Sequence, residues 1–145
     1  MDFFSSMRIS ATGMNAQQTR MNTISSNIAN AETAETEAGG PYKRRDPVFT
    51  ATVDRENFGE ILAGHMDEHA QGVLVTEIQE DTRAPRMVYN PKHPLANSEG
   101  YVAMPNVNAV EEMANMISAT RSYEANATAL NAAKGMAMKA LEIGK

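Results

Sequence analysis

The sequence predicts an α+β chain: long N- and C-terminal helices that pair as a coiled coil, with a small β-rich region between them. Three observations predict it. Met7, Met14, Met21 and Ile28 recur at every seventh position near the N-terminus. All six prolines and most of the nine glycines fall in residues 32–106. The last third is rich in alanine and methionine and contains no proline after Pro105.

The first element follows from the heptad spacing. Phe3, Ala11, Ile24 and Ala31 lie three or four residues from the repeating positions, which completes a seam with one weak layer at Gln17 and Gln18. No proline interrupts residues 2–31, and Gly13 is the only glycine there. A helix of about 28 residues is about 42 Å long. That is long for a small globular domain and suits an element that packs along its length against other helices. Asn27 and Asn30, near its end, suit hydrogen bonds to exposed carbonyls or to neighbouring backbone.

The middle begins with a strong turn signal, Gly39-Gly40-Pro41. Residues 42–53 read as a strand, and Pro47 within it marks a sheet edge. Residues 57–69 are compatible with a short helix. Residues 72–78 alternate through Val73, Val75 and Ile78 and read as a strand, as do the short runs 86–89 and 101–104.

The third region starts at Asn108, an N-cap with Glu111 at the third helical position. Pro105 discourages an earlier start, and the chain is helix-forming from there to about Ile143. One face carries Met113, Met116, Thr120, Tyr123, Ala127, Leu130, Ala137 and Leu141. A second carries Ala129, Ala133, Met136, Ala140 and Ile143. A surface helix on a globular domain needs one apolar stripe, so one antiparallel partner leaves a second face for other chains. Glu111 and Glu112 read as cap and dipole residues at the helix start. The expected divisions are 1–33, 34–106 and 107–145.

Composition narrows the function. The net charge of −5 gives no field for nucleic acid or anionic lipid. The basic run Lys43-Arg44-Arg45 is followed at once by Asp46 and reads as a solvated loop. There are no cysteines, which removes disulfides, thiol catalysis and thiolate metal sites. No apolar run is long enough to span a membrane. Residues 1–14 lack the apolar centre of a secretory signal, so export without a cleaved signal is expected. His65-Met66-Asp67-Glu68-His69 matches an inverted zinc-protease pattern, but Gly64 and Gly72 confine it to about two turns. A polar loop accounts for it better than a zinc site. No enzyme activity, cofactor, resident metal, nucleic-acid partner or membrane insertion is expected.

Several motifs carry a family resemblance. Ser25-Ser26-Asn27-Ile28-Ala29-Asn30-Ala31, with Gly13-Met14-Asn15-Ala16-Gln17 and Arg20-Met21-Asn22 upstream, resembles the N-terminal signature of the axial flagellar proteins, the rod, hook and related subunits. Gly39-Gly40-Pro41-Tyr42 and Tyr89-Asn90-Pro91-Lys92-His93-Pro94 look like the proximal-rod branch of that family. So do Gly100-Tyr101-Val102-Ala103-Met104-Pro105-Asn106-Val107-Asn108 and the run from Met116 through Tyr123 to Asn126. The resemblance spans nearly the whole chain and is least familiar at residues 58–71.

The resemblance implies a structural subunit of the basal-body rod, whose terminal helices pair as a coiled coil lining a hollow periplasmic drive shaft. It implies self-association, with other rod proteins and the adaptor subunit at the rod base as partners. It also implies export by the flagellar type III apparatus. The residues expected at the assembly interface are Met7, Met14, Met21, Ile24, Asn27, Ile28 and Asn30 on the first helix. On the last they are Met113, Met116, Ile117, Tyr123, Leu130, Ala133, Ala137 and Leu141. The alternative is a non-polymerising adaptor or binding protein of a type III secretion apparatus, which copy number in purified basal bodies distinguishes.

Overall fold

The computed structural model describes residues 3–53 and 70–143. The short helix expected at 57–69 and the His65–His69 motif lie outside the described residues. Helix α1 spans Phe3–Ala29. Its threonines turn their hydroxyls onto the helix itself: Thr19 Oγ1 donates to the Asn15 carbonyl and Thr23 Oγ1 to that of Thr19. At its C-terminus Asn30 acts as a local cap. Its Nδ2 donates to the Ser26 carbonyl at 2.9 Å, and its Oδ1 accepts from Thr33. The chain then reverses through Gly39 and Gly40, whose φ angles of 85° and 78° suit glycine. The Tyr42 amide closes the turn on the Thr33 carbonyl.

Strands β1 (Arg45–Val53) and β2 (Ala70–Glu80) form an antiparallel ribbon, with Arg45 opposite Glu80, Phe49 opposite Val75 and Thr52 opposite Gly72. The strand expected from residue 42 begins at Arg45 instead, because Tyr42 is drawn into the closing turn. Pro47 sits opposite Ile78 in a two-stranded sheet, where every strand is an edge. Such a ribbon is marginal alone, and it lies on α1. Gly72 is the point of closest approach: a Cβ there would stand 2.5 Å from Thr12 Oγ1. That same hydroxyl accepts the Val73 amide at 3.2 Å and donates to the Ile9 carbonyl.

A second antiparallel hairpin joins β3 (Arg86–Tyr89) to β4 (Tyr101–Met104). The Tyr89 and Tyr101 rings meet edge to face at 5.3 Å. Gly100, with φ of 81°, turns beneath them. Val102 faces inward and is buried, whereas all of β3 is exposed.

Helix α2 spans Ala109–Ile143. Asn108 caps it as expected: Oδ1 accepts the Val110 amide at 3.1 Å, and its carbonyl accepts the Glu112 amide. The two helices run antiparallel, with Asn27 against Glu112, Met21 against Thr120, and Gly13 against Asn126. The line α2 turns to α1 is Glu112, Ala119, Asn126 and Ala133, every seventh residue. It borders the first face expected from the sequence and shares Ala133 with the second. Small and polar side chains, not the methionines, make the closest contact. They let the axes approach until a Cβ on Gly13 would meet the Asn126 side chain at 3.1 Å. Of the described elements, α1 touches α2, β1 and β2, whereas α2 touches only α1.

Candidate assembly surface and the buried hub that aligns it

One polar cluster joins the three parts of the chain. Asn27 is completely buried on α1. Its Nδ2 donates to the Arg45 carbonyl at 2.8 Å and to Glu112 Oε2 at 3.0 Å. Its Oδ1 accepts the Arg45 amide at 2.9 Å and the Tyr42 hydroxyl at 3.0 Å. Both donors and both acceptor sites of the amide are thus used. The remaining Glu112 oxygen accepts from Arg44 Nε at 2.9 Å, and Arg44 Nη1 reaches Asp46 at 3.1 Å.

A carboxylate with 1% of its side chain exposed demands such partners, because an unpaired buried charge is strongly unfavourable. Burial pulls the Arg44 guanidinium down. The hydrogen bonds to Glu112 and Asp46 outweigh that and hold its pKa above the ordinary arginine value. The hub therefore fixes where α1, the start of β1 and the first turns of α2 meet.

Two expectations are corrected here. Arg44 does not belong to a solvated loop: its side chain is 15% exposed and engaged with Glu112. Glu112 is not a surface dipole residue: it is the buried acceptor of the hub. The sequence does hold a signal for it, since Glu112 stands seven residues before Ala119 on the seam. Asn27 bonds neighbouring backbone, as expected, and a buried carboxylate in addition.

The expected interface residues fall into three groups. Ile24, Asn27 and Ala133 are buried within the chain itself. Met7, Met14, Met21, Ile28, Asn30, Met116, Tyr123, Leu130 and Ala137 are half-buried. Met113, Ile117 and Leu141 are exposed. Val110, absent from the expected set, is 71% exposed. With Met113 and Ile117 it makes an i, i+3, i+7 stripe on the face of α2 turned from α1. Farther along, Met136, Met138 and Leu141 are also open. By contrast, the outward residues Asn15, Gln18, Asn22 and Ser25 of α1 are polar.

The described residues contain no cluster of three or more metal-ligating side chains. No helix among them is long and apolar enough to cross a membrane. What the arrangement offers is a helix pair aligned by the hub, with Val110, Met113 and Ile117 exposed on the outer face of α2.

Comparison with known proteins identifies a family. Residues 7–34 match the family described as flagella basal body rod protein, and residues 98–143 match the flagellar basal body rod FlgEFG protein C-terminal family. The flagellar basal-body rod protein FlgC of Bacillus subtilis is 45% identical over 152 residues, covering 100% of both chains. That of Borreliella burgdorferi is 42% identical, covering 99% of this chain and 98% of its own. FlgC of Aquifex aeolicus is 40% identical, covering 100% and 99%. Full-length identity at this level, with α2 and most of α1 inside the matched family segments, places the chain in the FlgC family of flagellar basal-body rod proteins.

Proposed function

We propose that this structural rod subunit assembles through the outward face of α2, with α1 and α2 paired as a coiled coil in the wall of the hollow proximal rod. The observation that supports the reading is the exposed stripe Val110, Met113 and Ile117 on a helix that, among the described elements, only α1 touches. Exposed apolar stripes of this kind mark interaction surfaces. Residues 1–33 and 107–145 act as the assembling unit and residues 34–106 as a middle unit tied to them by the hub. The neighbours are copies of itself, other rod proteins and the adaptor subunit at the rod base. The chain travels through the flagellar type III export apparatus without a cleaved signal to the periplasm. Helices that gain much of their stability from neighbours suit passage through a narrow channel, because they order on arrival.

Ile117→Asp tests the reading. Ile117 is 57% exposed, so the purified variant should lose no more than about 0.5 kcal/mol of stability. In cells carrying only this variant, motility and rod-containing basal bodies should be lost while synthesis continues. Normal swimming with a full complement of rods contradicts it.

A further inference from the structure

We propose that the exposed thioethers of Met113, Met136 and Met138 are oxidation sites through which a peroxide-class oxidant blocks assembly of the free chain. The three residues are 51%, 65% and 56% exposed on α2. The chain contains no cysteine, so its thioethers are the only sulfur available to an oxidant. Met21 is different: it is half-buried against α2, and its Sδ accepts a hydrogen bond from Thr120 Oγ1 at 3.6 Å.

The chemistry is self-contained given a peroxide. A sulfur lone pair attacks one peroxide oxygen, an S–O bond forms and the O–O bond breaks. The departing hydroxide takes the proton of the new S–OH group and leaves as water. The sulfur is oxidised by two electrons, and the peroxide is reduced by the same two. The product is a sulfoxide, polar and chiral where the thioether was apolar and flexible, and reducible back to methionine.

Position makes this consequential. Met113 shares its stripe with Val110 and Ile117, and Met138 returns to the same side of the helix about seven turns later, while Met136 lies about 200° round from Met138 on a second exposed line. A sulfoxide there puts an unpaired acceptor into a face that assembly removes from water. The free chain is therefore vulnerable, and the assembled one shielded. This inference rests on the rod-subunit reading, since assembly is what it blocks.

The test has two arms. The purified full chain is treated with hydrogen peroxide, and oxygen addition is followed at each methionine by peptide mass. Met113, Met136 and Met138 should oxidise several-fold faster than Met21; equal rates overturn the proposal. In cells, Met→Leu and Met→Gln sets at the three positions replace the parent chain, leucine keeping the apolar character and glutamine imitating the sulfoxide. The leucine set should build several-fold more rods than the glutamine set. The glutamine set should lower rod-containing basal bodies by about tenfold or more, with the melting of the purified chain unchanged.

Each glutamine change is also read singly, so that a folding defect in the combined set does not decide the outcome. Glutamine variants that build rods like the parent overturn the inference, as does a leucine set that builds no more rods than the glutamine set. If Ile117→Asp also builds rods, the rod-assembly reading itself has failed. If Ile117→Asp blocks rods and the glutamine variants do not, only the oxidation proposal is lost.

Discussion

α1 and α2 are both long, proline-free and rich in methionine and small residues, yet the chain covers them unequally. α1 lies between α2 on one side and the β1–β2 ribbon on the other, and the outward residues along its middle, Asn15, Gln18, Asn22 and Ser25, are polar, with Phe4 exposed in its first turn. α2 touches α1 alone among the described elements, and its far side is apolar at both ends. The difference separates two tasks. α1 is positioned by its own chain, and α2 is held by one line of contact so that another line stays available. The Asn27–Glu112–Arg44 hub makes this possible, because it fixes α2 at its first turns through groups the outer face does not need.

That comparison breaks most visibly at Glu112. Replacing it with alanine leaves Arg44 and Asn27 with lost partners in a buried setting, and should cost about 3–5 kcal/mol in urea unfolding. A double-mutant cycle with Arg44→Ala should show coupling between the two residues. A loss below about 1 kcal/mol would mean that the hub does not hold α2.

A smaller effect is expected where α1 and α2 approach closest. Gly13→Leu must push against Asn126, whose side chain lies only 3.1 Å from the point a Cβ would occupy, and should destabilise by about 1–3 kcal/mol in thermal unfolding. The smallest effect has the opposite sign. Gly135 lies within α2 with nothing within 4 Å of where a Cβ would stand. Gly135→Ala should therefore stabilise the free chain by about 0.5–1 kcal/mol. Destabilisation there would show that this end of α2 is already covered in the monomer, and the asymmetry between the helices would disappear.

Much of this was legible where local chemistry decides. The cap at Asn108, the turn at Gly39-Gly40, and the extents of β3 and β4 each depend on a few neighbouring residues, and those residues announce them. The hub was not legible, because Asn27, Arg44 and Glu112 are far apart in sequence and meet only when α2 folds back on α1. The seam was legible only in part, at Ile24, Asn27 and Ala133, for a related reason. Hydrophobic periodicity gives weight to Met113, Met116 and Leu130, whereas helices approach most closely over small residues, and Ala119 and Ala133 are buried in that contact. Methionine periodicity marked the flank of the seam and the outer stripe. The placement of Val110 at the head of that stripe was missed because it falls in the first turn, where capping chemistry is the stronger signal.

The absence of cysteine gives a direct route to the central claim. Single changes Ile117→Cys and Ala119→Cys place thiols on opposite sides of α2, one 57% exposed and the other fully covered by α1. Maleimide labelling is then compared between the purified chain and intact basal bodies. The account predicts that Ile117→Cys reacts readily in the free chain and is protected at least about tenfold in the basal body, while Ala119→Cys stays slow in both. Equal labelling of Ile117→Cys in the two states would contradict it.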